Sequence, residues 1–210
     1  MPVVVPKLDE SFELKGSDAI STWESHFEHF SVEDDFSGVI QVTEDKKVQL
    51  RAAYGLAQRR FGINNNLYTA FNLASARQFF AQLALARLLK QNQVTSKQVG
   101  EFSSDPVWEG KLAKLTQETP WSVVGREVLV PAKMGQSAYY YLDQLPASAA
   151  TGYTTTNRGQ TVENVYAILE NNLVPQLYST AADLTRLWHL LVQGEFLPLD
   201  VVEAVLTPYW

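Results

Sequence analysis

The sequence predicts an α+β domain in which a β-hairpin packs on a mostly helical region. Three patterns lead to this prediction: an amphipathic helix near the amino terminus, a hairpin pattern that follows it, and an almost wholly apolar helix over about residues 75–90. The length of 210 residues suits one domain with a substantial core. We therefore treat residues 1–210 as a single domain.

The amino-terminal helix and the hairpin are expected over about residues 17–55. Four apolar residues recur at helical spacing in the first part of this region: Ile20, Trp23, Phe27 and Phe30. Residues 39–43 and 48–55 then have the composition of strands, and the polar residues 44–47 between them indicate a turn. A helix followed by an antiparallel hairpin is the predicted order.

The helix over about residues 75–90 is the clearest in the chain. Its apolar residues point in most directions around the helix: Phe79, Phe80, Leu83, Ala84, Leu88 and Leu89. A helix that is apolar on nearly every side is buried on nearly every side, so this one should form the centre of the core.

The remaining chain divides into two parts. Over about residues 95–175 we expect an irregular segment, with short helical stretches interrupted at Pro106, Gly110 and Pro120. Over about residues 179–206 we expect carboxy-terminal helices, the first capped by Ser179 or Thr180 and ended by Gly194.

Composition excludes several classes of function. The net charge is −6 and the isoelectric point is about 5.1, so the surface should repel nucleic acid and anionic lipid. There is no cysteine, which excludes disulfides, thiolate zinc sites and a cysteine nucleophile. No apolar run approaches the length of a membrane span, and the first residues lack the pattern of a signal peptide.

Cofactor and metal motifs are not found either. The sequence has no Gly-rich phosphate loop, so we expect no nucleotide cofactor. His26 and His29 lie three residues apart near Glu33, Asp34 and Asp35, which is one arrangement that could hold a metal. A solvated helix end explains the same residues more simply, and we expect no metal site.

Four landmarks nevertheless resemble one family in content and in order. These are residues 36–42 with 53–57, residues 71–75, residues 131–134 with 139–153, and residues 177–184 with Leu206, Thr207 and Pro208. Together they resemble the serine β-lactamases and penicillin-binding proteins, in particular the relatives of class C β-lactamases. The resemblance implies a reduced β-lactamase/transpeptidase-like fold and, for an intact member, serine hydrolase activity as a β-lactamase, D,D-peptidase or esterase.

The resemblance also implies a nucleophile, Ser75, at the start of the buried helix. In the family a lysine three residues later accepts the proton of this serine, in the motif Ser-x-x-Lys. Here Ser75 is followed at that spacing by Gln78. A carboxamide is neutral and is not basic near pH 7, so Gln78 cannot act as the base. Arg77 cannot act either, because a guanidinium stays protonated.

Two further motifs of the family are missing. The sequence contains neither Tyr-x-Asn nor a Lys-Thr-Gly or His-x-Gly motif. Loss of a general base alone lowers a rate by roughly 10² to 10⁴. We therefore expect a catalytically inactive remnant, a pseudoenzyme, with a binding or regulatory role. In this interpretation Ser75 is a vestigial nucleophile that caps the helix through a backbone N–H, and Gln78 is a polar residue satisfied within its helix turn.

Two alternatives remain open. The chain could be a weak serine esterase or D,D-peptidase that forms an acyl-enzyme at Ser75 with an unconventional base. It could instead be a partner-binding module, since the family's hairpin is flanked by further strands and a two-stranded sheet offers an open edge. The partner would be a second copy or a strand-donating protein, and the ligand a peptide-like or β-lactam-like molecule. The compartment is not indicated by the sequence, although the family is often exported or associated with the cell envelope.

Overall fold

The computed structural model describes residues 17–32, 36–101, 107–164 and 174–207. Within these ranges the α-helices are α1 (Ser17–Val32), α2 (Arg77–Lys90), α3 (Ser96–Glu101), α4 (Trp108–Thr116), α5 (Pro120–Val124), α6 (Ala181–Val192) and α7 (Leu199–Leu206). The strands are β1 (Gly38–Glu44), β2 (Lys47–Tyr54), β3 (Leu56–Gln58), β4 (Ile63–Asn64), β5 (Phe71–Asn72), β6 (Ala138–Tyr140), β7 (Tyr153–Thr155), β8 (Thr161–Glu163) and β9 (Gln176–Ser179).

The predicted hairpin is present as β1 and β2. The strands pair antiparallel from Gly38 opposite Tyr54 to Glu44 opposite Lys47. Asp45 and Lys46 form the turn with φ angles of 46° and 68°, the positive values that a two-residue hairpin turn of type I′ requires. Among the described residues these two strands form a sheet of their own, so each has one unpaired edge.

The predicted central helix is also present. Seven residues of α2 are buried: Phe80, Ala81, Leu83, Ala84, Leu85, Ala86 and Leu88. They pack in one core with apolar residues of α4, α5, α6 and α7. Burial on nearly all sides explains why the hydrophobic pattern of α2 has no polar face.

A second small sheet holds the start of α2. It has the order β5-β9-β6, so the buried strand β9 lies between two partners that are far away in sequence. Phe71 and Asn72 pair with Ser179 and Tyr178, and the N–H of Leu73 donates to the carbonyl of Leu177 over 2.9 Å. The chain therefore enters α2 from a fixed direction.

The prediction of an irregular segment over about residues 95–175 is wrong in its first part. Besides α3 and α4, residues 120–129 are helical, as α5 followed by a π-helical turn at Gly125–Leu129. Pro120 does not interrupt a helix but occupies the first turn of α5, where no N–H is needed. Gly110 lies inside α4 and does not end it, and Pro106 lies outside the described residues.

The carboxy-terminal helices lie where they were predicted, and Thr180 is the one of the two predicted capping residues that caps α6. Ser179 is the last residue of β9, and Thr180 caps α6 by accepting a 3.3 Å hydrogen bond from the N–H of Asp183.

No helix in the described part of the chain has both the length and the apolar character that crossing a membrane requires.

Candidate functional site

Ser75 lies in a tight turn between β5 and α2. The turn is a 3₁₀ helix at Ala74–Ala76 that runs directly into α2. Ala74 has a φ of 46°, and its N–H donates to Oδ1 of Asn72 over 2.8 Å. A side chain that accepts from the backbone two residues later stabilises such a turn. The site is therefore held by β5 on one side and by the core helix on the other.

The hydroxyl of Ser75 is exposed and makes no hydrogen bond within the described part of the chain. The prediction that Ser75 caps the helix is wrong. The residues in the cap positions are Leu73 and Ala76, and neither makes a side-chain cap bond. The N–H of Arg77 already donates to the carbonyls of Ala74 and Ser75, since the preceding turn is itself helical. The hydroxyl is thus left available to solvent or to a ligand.

Gln78 is bound to the neighbouring helix α4. Its Nε2 donates to Oε2 of Glu109 over 3.1 Å, and its Oε1 accepts the N–H of Glu109 over 3.1 Å. The amide is satisfied, as we predicted, but by a residue 31 positions away and not by its own helix turn. An amide has both a donor and an acceptor, and this pair of bonds uses both.

Glu109 is the centre of a polar network that also includes Arg77, Tyr139 and Gln176. Nε of Arg77 lies 3.1 Å from Oε2 of Glu109, and Nη1 of Arg77 donates to Oε1 of Gln176 over 2.9 Å. The phenol of Tyr139 donates to Oε1 of Glu109 over 3.4 Å. Both carboxylate oxygens of Glu109 therefore have donors already, and the network contains no lysine and no histidine.

The phenol of Tyr139 is held in its neutral form. Burial raises its pKa well above the ordinary value of a tyrosine, and the negative charge of Glu109 raises it further. The opposing effect of Arg77 is smaller than that of Glu109. A phenol in this state can donate a hydrogen bond near neutral pH but cannot accept a proton.

A cleft of about 390 Å³ begins beside Ala74, the residue before Ser75. Its lining includes the amide side chains of Asn72, Asn164 and Gln176. It also includes the ring of Tyr153 and the side chain of Arg59. The guanidinium of Arg59 lies 5.2 Å from the centre of the Tyr153 ring, within cation–π distance. Ser75 itself does not line this cleft, so the cleft is next to the hydroxyl and not over it.

A second serine-containing cluster lies deeper in the fold. Ser137, Ser179 and Asp183 are all buried, and the hydroxyls of the two serines are 2.8 Å apart. Ser137 donates to Oδ2 of Asp183 over 2.8 Å, and the N–H of Gln136 donates to the same oxygen over 2.8 Å. The carboxylate therefore fixes the loop before β6 against the start of α6.

Sequence reasoning did not identify the roles of Glu109, Tyr139 or Asp183. Asp183 lies within one of the four landmarks, but its buried hydrogen bonds depend on a loop more than 40 residues earlier in the chain. No group of three or more His, Asp or Glu side chains that could hold a metal occurs in the described ranges. Glu33, Asp34 and Asp35 lie outside those ranges.

This chain resembles known proteins in structure. No protein-family model matches it, and a search of curated proteins finds no match. Among solved structures, a penicillin-binding protein from Bacillus halodurans is similar at 20% identity and a TM-score of 0.69, covering 86% of this chain and 77% of the other. FmtA from Staphylococcus aureus is similar at 16% identity and a TM-score of 0.69, covering 93% and 70%.

A third structure, D-amino acid amidase from Ochrobactrum anthropi, is similar at 12% identity and a TM-score of 0.67, covering 88% of this chain and 73% of the other. At these identities the likeness is one of fold. The structural neighbours are β-lactamase and penicillin-binding-protein-like serine hydrolases. The chain therefore has the serine β-lactamase and penicillin-binding-protein fold, in a reduced α+β form.

Proposed function

We propose that the chain is a catalytically inactive relative of these serine hydrolases and that it binds a peptide-like or β-lactam-like ligand in the cleft beside Ala74. The proposal of inactivity rests on the identity of Gln78 and on the hydrogen bonds of its amide. This residue stands where the family's activating lysine would be, and both ends of its amide are bonded to Glu109.

Acyl transfer by a serine requires a group that accepts the hydroxyl proton as the new bond to the carbonyl carbon forms. The side chains of the network around Gln78 do not meet this requirement. Gln78 and Arg77 are not bases, and the burial-raised pKa of Tyr139 keeps its phenol protonated. Glu109 is the remaining anion, and its two oxygens already accept from Arg77, Gln78 and Tyr139.

The cleft supports the binding part of the proposal. A volume of about 390 Å³ lies within the roughly 300–1,000 Å³ typical of small-molecule sites. A side-chain amide can donate to a peptide carbonyl and accept from a peptide N–H, so Asn164 suits a peptide-like ligand.

A fluorescent penicillin tests both parts. Fluorescence polarisation should show saturable binding, and a denaturing gel of the same mixture should show no labelled protein. Asn164→Ala should weaken the binding, whereas Asn157→Ala, a matched change at an exposed turn residue that does not line the cleft, should not. A labelled band that disappears in Ser75→Ala would contradict inactivity. The absence of saturable binding would contradict the ligand proposal.

The weak esterase alternative has its own test. It needs Glu109, or another base, to become free and reach Ser75. If the chain turns over a p-nitrophenyl ester and the turnover disappears in both Ser75→Ala and Glu109→Gln, the alternative is correct. Turnover that persists in Ser75→Ala would belong to a contaminant or to another residue.

A second candidate function is self-association through β1. Within the described residues β1 pairs with β2 alone, and its only charged residue is Glu44. Helix α6 packs beside β1, with His189 Nε2 3.3 Å from Thr43 Oγ1. The same helix exposes a stripe of apolar residues four apart: Leu184, Trp188 and Val192. An apolar strand edge beside an apolar helix stripe is typical of a surface that pairs with another chain.

We propose a second copy as the occupant, because two β1 strands can pair antiparallel about a twofold axis with the same residues on both sides. Light scattering over a range of concentrations should show a dimer. Trp188→Lys should shift the protein to monomer, while Trp23→Lys on α1, a matched exposed tryptophan, should not. A monomer at every concentration would contradict this candidate.

A further inference from the structure

A second cavity of about 360 Å³ lies between the hairpin and the amino-terminal end of α6. It shares no lining residue with the cleft beside Ala74. Three basic side chains line it, those of Arg51, Lys133 and Arg186, together with a single acidic one, Asp183. This concentration of positive charge is notable in a chain with a net charge of −6.

The carboxylate of Asp183 does not neutralise the cavity. Its Oδ2 already accepts from the N–H of Gln136 and from the hydroxyl of Ser137, both over 2.8 Å. Its Oδ1 lies 3.4 Å from Nη1 of Arg186, which also donates to the carbonyl of Lys133. Asp183 thus balances Arg186, and the charges of the other two basic residues remain.

Arg51 and Lys133 have no carboxylate partner within the described part of the chain. Nη2 of Arg51 donates to the carbonyl of Leu67 over 3.3 Å, and its guanidinium lies 5.8 Å from the centre of the Tyr68 ring. The buried Nε of Arg51 makes no hydrogen bond. These contacts orient the guanidinium but do not balance its charge.

Helix α6 adds to the positive potential. It has 12 residues, and its cap Thr180 and first-turn residue Ala182 line the same cavity. The amino-terminal end of a helix carries a partial positive charge and favours an anion. Two basic side chains without acidic partners and a helix end therefore converge on one cavity.

From this geometry we infer that the cavity binds a small phosphate-bearing anion. A phosphate group carries about −1.5 to −2 charges near pH 7. This matches the two positive charges of Arg51 and Lys133, which Asp183 does not balance. Its oxygens can accept from an arginine and a lysine at the same time. The site is independent of the cleft beside Ala74, so it stands whether or not the proposed ligand binds there.

Inorganic phosphate is the probe, measured by isothermal titration calorimetry with ionic strength held constant by sodium chloride. Binding should be saturable, and the affinity for phosphate should fall about tenfold or more in Arg51→Gln and in Lys133→Gln. Each variant removes a charged hydrogen-bond donor. Lys97→Gln on α3 makes the same change in net charge away from the cavity and should leave the affinity unchanged. Lys133→Gln is the decisive variant, because the exposed side chain of Lys133 has no packing role that its loss would disturb.

Succinate and acetate at the same ionic strength separate phosphate from other anions. Phosphate binding that exceeds both and that depends on Lys133 supports the inference. Equal or tighter binding of the carboxylates would overturn it. So would the absence of saturable phosphate binding, or an equal loss of affinity in Lys97→Gln, which would indicate a response to net charge alone.

Discussion

Two serine-containing regions of this fold differ in almost every respect. Ser75 is exposed and its hydroxyl has no hydrogen-bond partner among the described residues. Ser137 and Ser179 are buried and hydrogen-bonded to each other, and Ser137 also donates to Asp183. The buried cluster fixes one strand, one loop and one helix. The hydroxyl of Ser75 holds no other element of the described structure in place. The buried serines therefore contribute to stability, whereas the hydroxyl of Ser75 is available only for chemistry or binding.

The largest effect is expected for Asp183→Ala. The change leaves the N–H of Gln136 and the hydroxyl of Ser137 without their acceptor in a buried site. Breaking a buried charged network typically costs about 3–5 kcal/mol. Urea unfolding should show this loss, while the exposed Asp143→Ala should change the free energy of unfolding by less than about 0.5 kcal/mol. Similar values for both variants would mean that the buried cluster is not a structural centre.

A smaller effect is expected for Glu109→Ala. Arg77 and Gln78 would lose their shared acceptor in a partly exposed site, where the two side chains of the ion pair retain 20% and 14% of their accessibility. Because solvent can replace part of these interactions, we expect a loss of about 1–2 kcal/mol in the free energy of unfolding. Glu203→Ala, on the exposed side of α7, is the matched control. A loss as large as that of Asp183→Ala would mean that the Glu109 network contributes as much to stability as the buried serine cluster.

The pH dependence of stability tests the buried phenols. Burial raises the pKa of Tyr139 and of Tyr178 in the folded state, whereas an unfolded tyrosine ionises near pH 10. Above about pH 10 the unfolded chain therefore binds fewer protons than the folded one, and stability falls as the pH rises. Below that pH both states are protonated and the contribution is fully present.

The variants Tyr139→Phe and Tyr178→Phe should each make this alkaline loss less steep, and the double variant should show the gentlest slope. Urea midpoints measured between pH 8 and pH 11 provide the test. An unchanged slope in Tyr139→Phe would contradict the neutral state assigned to this phenol.

The smallest effect is expected for Ser75→Ala. Its hydroxyl makes no hydrogen bond among the described residues, and alanine is a better helix former than serine. The free energy of unfolding should change by less than about 0.5 kcal/mol. Ser179→Ala, which removes a buried hydroxyl, should cost clearly more. If Ser75→Ala cost as much as Ser179→Ala, the contrast between the two serines would be lost.

Local patterns account for what could be predicted from the sequence. The hairpin follows from strand composition around a polar turn, and α2 follows from its apolar residues; both are confirmed. The cap assigned to Ser75 is wrong, because a helical turn already begins at Ala74 with a positive φ that no local pattern indicated. That conformation depends on Asn72 and on the pairing of β5 with β9, a strand about 100 residues later.

The surroundings of Gln78 show the same limit. Its position three residues after Ser75 made it a candidate, and its lack of basicity followed from its chemistry. Its partner Glu109 lies 31 residues away on another helix, and Tyr139 joins the network from a strand a further 30 residues on. Contacts of this kind are created by packing, so they could not be predicted from spacing.

We propose that the hydroxyl of Ser75 has no group to accept its proton. The most direct measurement is intact-protein mass spectrometry after prolonged incubation with a penicillin at several pH values between 6 and 9. We expect the unmodified mass throughout. A single added penicillin that is absent in Ser75→Ala and that increases with pH would reveal a base acting on Ser75, and it would show that the protein is not inactive.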